Sequence, residues 1–344
     1  METQEEQVYL SEGCEKWSEL EAAHIKDPEL AKAIRKMSRN YRKAPISEKQ
    51  LDFFTPTLAD VSGKDDVSLM DIAVFGLGKK PRFEPIVHEL KDATITIQGG
   101  TSCGMATIFD YDIFLFVVSY LVREMDAIKT KVSTGEDAYL PPRKIRPPVS
   151  ELLKFCRRDS EGRYGVKQYQ LLENALERLK STTITIKKKD GSKRRAGFFS
   201  LVGDVKVVSE TSTGKISVIE IGIPDWVYDG IVRVENPAVL TLNPDYFLLN
   251  AGYHRFLHRI ARKCAGKGQW FMTLEELRQR SGTTQQIRFF KRDIKRAITD
   301  LETNPLPDYS VQYESKRAGD KVLFAYTGED QNSDATDNKS GDRT

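Results

Sequence analysis

The 344-residue sequence lacks the cysteine spacing of disulfide scaffolds and of cysteine-ligated zinc modules. Its four cysteines, Cys14, Cys103, Cys156 and Cys264, lie far apart, and no two of them form a C-x-x-C pair. Closely spaced cysteines are typical of both classes, because one bridge or one ion ties neighbouring segments together. We therefore expect reduced thiols and no metal site, as in a cytoplasmic protein.

Long apolar segments are also missing. The longest run, residues 113–122, is interrupted by Ser119 and Tyr120. It falls short of the roughly 18 residues that span a bilayer. The N-terminus is acidic and carries no apolar segment of the kind found in secretory signal peptides. These features predict a cytoplasmic protein without a membrane partner.

The motifs of nucleotide-driven and metal-dependent enzymes are absent as well. GLGKK at 76–80 and STGKIS at 212–217 lack the G-x-x-x-x-G-K-[ST] spacing of a phosphate-binding loop. Nicking enzymes hold a metal with two histidines one residue apart, and none of the four histidines has that spacing. His254 and His258 share a helix face without an evident third ligand, which favours packing or a phosphate contact over metal binding.

Two carboxylates leave a further alternative. Asp110 and Asp112 have the spacing of a nuclease metal pair, but they precede an apolar helix, where Asp110 suits the N-cap. Capping is the favoured interpretation, so we predict no enzyme activity and no cofactor.

Charge is distributed unevenly along the chain. Residues 1–31 hold nine acids against two lysines. Residues 141–200 hold 16 Lys and Arg against six acids, and residues 250–300 hold 12 against four. Two basic blocks between acidic ends are typical of nucleic-acid-binding proteins.

The segment 284–301 carries the clearest pattern. At the helical period one face is apolar, formed by Ile287, Phe290, Ile294, Ile298 and Leu301. A second face, rotated by roughly 130°, is basic; it holds Arg288, Lys291, Arg292, Lys295 and Arg296. Asp293 and Asp300 are predicted on a third side. A solvated charged face is the alternative interpretation of such a row.

A short amphipathic helix, residues 273–280, precedes this segment and ends near Ser281 and Gly282. Helix, glycine turn and basic helix predict a helix-turn-helix, whose second helix enters the major groove of DNA.

The surrounding pattern occurs twice. The first copy has a strand (93–97), a helix (110–125), a stiff exposed connector (140–148), helices (149–156, 166–180) and strands (182–188, 196–208, 215–222). The second has an apolar stretch (239–242), helices (244–264, 273–280, 284–301) and strands (308–313, 321–326). We predict an α+β fold of two tandem winged-helix domains, 46–222 and 223–327, with tails at 1–45 and 328–344.

Polar and basic residues mark the predicted DNA contacts of the first domain and of both hairpin tips. The second helix of the first copy turns Lys167, Gln170, Asn174 and Arg178 outward, and its hairpin tip concentrates Lys187, Lys188, Lys189, Lys193, Arg194 and Arg195. The second tip carries Lys316 and Arg317. Lysine-rich tips also protect sheet edges from pairing, but six cations in nine residues favour phosphate contact.

These segments resemble plasmid replication initiators of the replication initiator protein A family over residues 45–327. The stretches that carry the resemblance are FDYDIFLFVVSYLV (109–122), VSELLKFC (149–156), YQLLENALERLKSTTITI (169–186), FLLNAGYHRFLHRIAR (247–262), LEELRQRSG (274–282) and FKRDIKRAITDL (290–301).

The resemblance implies a protein that binds direct repeats in the double-stranded DNA of a plasmid origin. It would aid melting of an adjacent A·T-rich region and recruit the host initiator and the replicative helicase. Monomers would bind the repeats, and homodimers would repress or limit copy number. On that pattern Thr284, Gln285, Arg288 and Arg292 read bases. A tandem winged-helix transcriptional repressor is the alternative.

Overall fold

The computed structural model describes residues 53–56, 73–90, 93–156, 166–188, 196–210, 216–233, 239–317 and 319–328. The predicted tail 1–45 lies outside this set, as does the predicted C-terminal tail beyond Gly328. The described chain is a mixed fold of helices and antiparallel sheets, which confirms the coarse fold class.

The first half, residues 53–233, contains eight strands and four helices among the described residues. They are β1 (Phe53–Pro56), β2 (Ile86–Glu89), β3 (Ala93–Gln98), α1 (Tyr111–Ser133), β4 (Lys144–Ile145), α2 (Val149–Phe155), α3 (Val166–Ser181), β5 (Thr183–Lys188), β6 (Ala196–Ser200), β7 (Val205–Glu210), β8 (Ile216–Gly222) and α4 (Asp225–Val232).

The second half, residues 239–328, begins with a strand and a short 3₁₀ turn. Its elements are β9 (Val239–Leu242), the 3₁₀ turn (Pro244–Leu248), α5 (Gly252–Cys264), β10 (Gln269–Thr273), α6 (Leu274–Arg280), α7 (Ile287–Asp300), β11 (Tyr309–Lys316) and β12 (Gly319–Tyr326).

Helix α1 forms the centre of the first half. Its residues 111–119 are all buried, because a helix that is apolar on every side has to be surrounded by protein. The predicted helix 110–125 is confirmed and extends two turns further, to Ser133.

The first half also contains two antiparallel sheets of three or more strands. One has the strand order β2-β3-β5-β6 and the other the order β4-β8-β7. In β3 the residues Ala93, Ile95 and Ile97 are buried and alternate with half-exposed threonines, as expected of a strand with one face on the core.

The strand predicted over 196–208 is wrong. The chain leaves the first sheet after Ser200 and enters the second at Val205, so β6 and β7 belong to different sheets. Between them Leu201 and Val202 are buried in the core. The chain passes from one sheet to the other at these two residues.

The stiff exposed connector predicted at 140–148 is also wrong. Leu140 and Ile145 are buried, and β4 pairs with the end of β8. The prolines therefore flank a short strand inside the fold.

The second half has the order helix α5, strand β10, helices α6 and α7, and hairpin β11–β12. Its sheet has the order β10-β12-β11, so the strand between the helices pairs with the second strand of the hairpin. The single helix predicted over 244–264 is wrong at its start. Pro244 opens a 3₁₀ turn, and the chain is extended at Leu249 and Ala251 before α5 begins.

The two halves are joined by buried contacts. Strand β1 pairs with β9. Asp112 of α1 accepts a hydrogen bond from Arg255 of α5 at 2.5 Å, and both side chains are almost fully buried. Gly252 packs so closely against the Leu77 carbonyl that a Cβ atom there would overlap it. The predicted boundary between residues 222 and 223 stays a prediction.

Candidate nucleic-acid interface

Helix α6 begins with a complete capping box. The Thr273 hydroxyl accepts a hydrogen bond from the Glu276 amide at 3.2 Å, and the Glu276 carboxylate accepts one from the Thr273 amide at 2.9 Å. These bonds satisfy two amides that the first helical turn leaves without partners. Hydrogen bonds from Thr273 lower the pKa of the Glu276 carboxyl.

The turn from α6 to α7 depends on Gly282. Its φ is 63°, in the left-handed region that favours glycine. A Cβ atom at this position would lie 2.5 Å from a methyl group of Ile86. The turn therefore packs closely against strand β2 of the first half. This packing fixes the direction in which α7 leaves the turn.

Helix α7 divides into a buried and a solvent-facing side. Phe290, Ile294, Ala297 and the adjoining Leu301 are buried. Arg288, Arg292, Lys295 and Arg296 are exposed. The predicted apolar and basic faces are thus present, except that Ile287 is 42% exposed at the first helical position.

Lys291, a member of the predicted basic row, anchors the hairpin. Its ammonium group lies 2.7 Å from the Asp320 carboxylate of β12. The Lys291 hydrogen bond lowers the pKa of Asp320 to about 2 and raises the pKa of the lysine. Lys291 therefore holds the hairpin against the edge of α7.

Asp293, predicted on a third side of the helix with Asp300, is not separate from the basic face. Asp293 is buried, and it accepts hydrogen bonds from Arg292 at 3.1 and 3.2 Å. The Arg296 guanidinium lies 4.0 Å from the same carboxylate. Both arginines remain largely exposed, at 68% and 74% of their side chains. The carboxylate thus braces the arginines without covering them.

Phe289 is the one aromatic of α7 that faces solvent. It is 39% exposed. The guanidinium groups of Arg288 and Arg292 lie 4.6 and 5.5 Å from its ring centre. A ring in this position restricts where the two arginines can point, since cation–π contacts favour the ring face.

The tip of the β11–β12 hairpin carries the predicted pair Lys316 and Arg317. Both are exposed. The Lys316 ammonium group lies 2.7 Å from Glu314 of the same strand, an exposed contact that costs little to exchange for another partner.

In the first half, α3 presents part of the predicted set. Lys167, Gln170 and Asn174 are exposed. Arg178 is not turned outward: it donates two hydrogen bonds of 2.8 Å to Asp110, and its side chain is 15% exposed. Asp110 also accepts bonds from the Thr107 amide and hydroxyl. Arg178 therefore fixes the start of α1, and we leave it out of the interface.

The predicted basic tip at 187–195 lies mostly outside the described residues. Lys187 is exposed at the end of β5. Nothing is described for the side chain of Lys188, nor for residues 189, 193, 194 and 195. The hairpin is not equivalent to β11–β12, because β5 and β6 join β2 and β3 in one sheet.

The two carboxylates considered for a metal pair, and His254, have structural partners. Asp110 and Asp112 sit at the N-terminus of α1, but the Asp110 side chain makes no hydrogen bond to the first helical turn. Each carboxylate pairs with an arginine. His254 contacts the Ala297 carbonyl at 3.1 Å. Burial and the charges of Arg262 and Arg259 lower the pKa of His258 to about 3.

Sequence reasoning missed two hydrogen bonds from segment 73–82 to α6 and the turn that follows it. Arg82 donates a hydrogen bond of 2.7 Å to the Gly282 carbonyl. The Ala73 amide donates one of 2.7 Å to the Arg280 carbonyl. The segment 73–82 has no regular periodicity, and its basic residues were the only signal in the sequence.

A sequence model of the family described as "Replication initiator protein A" matches residues 64–311. The chain belongs to this family. It is 29% identical, over 273 residues, to a protein of Wigglesworthia glossinidia brevipalpis that is provisionally named a replication protein. That alignment covers 78% of this chain and 91% of the relative.

The fold of this family member is similar to a solved structure of domains 2 and 3 of RctB. The TM-score is 0.50 at 13% identity, over 75% of this chain and 95% of the RctB fragment. Among the described residues, no helix is long and apolar enough to cross a membrane. The same residues contain no group of three His, Cys, Asp or Glu side chains placed to hold a metal ion.

Proposed function

We propose that this family member is a plasmid replication initiator that binds repeated sites in the double-stranded DNA of its origin. It then helps open the neighbouring duplex and recruits host replication proteins. Membership in a replication initiator family supports the role in initiation. The observation that carries DNA binding is the exposed row of Arg288, Arg292, Lys295 and Arg296 on α7.

We propose a winged-helix domain in each half. In the second half, β10 lies between two helices in sequence and pairs with the distal strand of the β11–β12 hairpin. In the first half, β4 lies between α1 and α2 and pairs with β8, the distal strand of the β7–β8 hairpin. Apart from β5 and β6, which the first half inserts before its hairpin, the order and pairing are the same. They support β7–β8 as the wing of the first domain, in place of the sequence-predicted β5–β6.

In this arrangement α7 enters the major groove. Arg288 and Arg292 have the guanidinium geometry for bidentate bonds to guanine. Thr284 and Gln285, exposed just before the helix, reach the same groove. Lys316 and Arg317 at the hairpin tip contact phosphates, which add affinity without sequence information. All of these contacts are non-covalent, and we propose that the protein neither forms nor breaks covalent bonds in DNA.

Footprinting on the DNA that flanks its own gene tests this proposal. We expect protection of regularly spaced repeats, and the protected fragment together with the gene should sustain a replicon in a transformation assay. Protection without a replicon would favour the repressor alternative. A protein that ignores duplex DNA at low salt, or that relaxes supercoiled DNA in Mg²⁺, contradicts the proposal.

A further inference from the structure

The loop formed by residues 76–82, GLGKKPR, is held at both ends and exposed in the middle. The Gly76 amide donates to the Ala106 carbonyl at 2.9 Å, and the Met105 amide donates to the Arg82 carbonyl at 2.7 Å. Lys79 and Lys80 between them are exposed. Lys79 and Lys80 thus lie on a loop that hydrogen bonds hold to the rest of the first half.

The 76–82 loop also contacts the helix-turn-helix of the second half. Besides the Arg82–Gly282 hydrogen bond, the loop shares a cleft of about 420 Å³ with α7 and the turn before it. The walls include Lys80 and Arg82 on one side and Thr283, Gln285 and Arg296 on the other.

Two carboxylates also line this cleft, Asp293 and Asp300. Asp293 is already paired with Arg292 and lies near Arg296. Asp300 is at the C-terminal end of α7. Lys80, Arg82 and Arg296 therefore outnumber the two carboxylates in the cleft.

The loop and the β11–β12 hairpin lie on opposite edges of α7. At the helical period Arg288, Arg292 and Lys295 share the outward face. Lys291 and Lys295 form the edge that contacts the hairpin, at Asp320 and Tyr313 respectively. Asp293, Arg296 and Asp300 form the other edge, which lines the cleft. A duplex lying on the outward face meets the hairpin on one side and the loop on the other.

We propose that the 76–82 loop is a second flanking DNA contact, in which Lys79 and Lys80 bind backbone phosphates of the duplex that α7 occupies. The inference rests on the proposed DNA binding and adds to it a contact supplied by the first half. Pro81 and the missing phosphate-loop spacing separate this site from a nucleotide pocket.

The test is a salt titration of duplex binding by the full chain carrying Lys79→Ala and Lys80→Ala. The slope of log K against log salt is negative, and each lost phosphate contact reduces its magnitude by about 0.9. We expect a decrease of about 1.8 for the double variant, with the same loss of affinity on every duplex. Hydroxyl-radical footprints should lose protection on one side of each site.

Two variants complete the experiment. Arg123→Ala with Lys131→Ala removes two exposed charges from α1 and should leave the slope unchanged. Lys79→Arg with Lys80→Arg keeps the charges and should retain wild-type binding, which would show that positive charge at the two positions is sufficient.

The outcomes separate the two proposals. If wild-type protein binds duplex DNA and the Lys79/Lys80 alanine variant keeps its slope and footprint, the loop contact is wrong while DNA binding stands. An equal decrease in the α1 control would show a general charge effect and would also overturn the loop contact. If wild-type protein binds no duplex, the proposed function itself fails.

Discussion

At the scale of the residue, the five cations of α7 have different tasks. Lys291 is engaged with Asp320. Arg292 and Arg296 are braced by a buried aspartate that the sequence pattern placed elsewhere. Arg288 lies over the exposed Phe289 ring near the start of the helix. In the proposed complex Arg288 is the best placed to read a base, since the first turns of a recognition helix reach furthest into the groove.

Replacing Arg288 with alanine should therefore change specificity more than general affinity. We expect a loss of roughly 1–3 kcal/mol of discrimination at one base pair, since a bidentate arginine–guanine contact contributes that amount. Competition binding against single-base variants of the site measures it.

Lys316→Ala is the comparison, because this residue lies at the hairpin tip and is proposed to contact phosphate. It should weaken binding to all sequences alike and reduce the magnitude of the salt slope by about 0.9. Indistinguishable behaviour of the two variants would refute the division between base reading and phosphate contact.

At the scale of the element, short helices depend on their ends. Helix α6 has seven residues, too few to be stable alone, and it positions the turn that leads into α7. Its capping box and the packing of Leu274 and Leu277 hold it in place. If α6 were not held in place, the turn at Gly282 would no longer fix the direction of α7.

We expect Thr273→Ala to lower the free energy of unfolding by about 1 kcal/mol, the usual effect of losing a threonine cap. Urea denaturation of the purified protein measures this change. Thr130→Ala, at an exposed position inside α1, is the control and should be neutral or slightly stabilising, because alanine favours a helix interior. A neutral Thr273→Ala variant would show that packing alone sets the start of α6.

At the scale of the whole molecule, the buried pair Asp112–Arg255 joins the two halves. Arg255 also donates to the Leu249 and Phe247 carbonyls, and its guanidinium lies 4.6 Å from the Phe109 ring centre. A charge so deeply buried is tolerated only while its partner is present. This contact therefore couples the folding of one half to that of the other.

Asp112→Asn should destabilise the protein by roughly 3–5 kcal/mol, since it leaves the Arg255 charge buried without compensation. Asp126→Asn on the same helix, where the carboxylate is 58% exposed, should change stability by less than about 1 kcal/mol. The melting temperatures of the two variants, measured by thermal unfolding, test this difference. Equal melting temperatures would show that water reaches the pair and that the halves are not coupled through it.

The sequence by itself determined the local elements, because helical and strand periods and turn residues act over a few positions. It predicted α3, β5, α6 and α7 to within three residues at each end, and the basic face of α7. The strands β2 and β10 escaped it, since β2 has only four residues and β10 does not alternate between buried and exposed residues.

Only the tertiary structure decided which strands pair and which charges are free. It assigned β5–β6 to the sheet of β2 and β3, turned Arg178 toward Asp110, and brought Lys80 beside α7. These contacts join residues far apart in the chain, and they are fixed by how the apolar faces pack together. No local pattern contains that information.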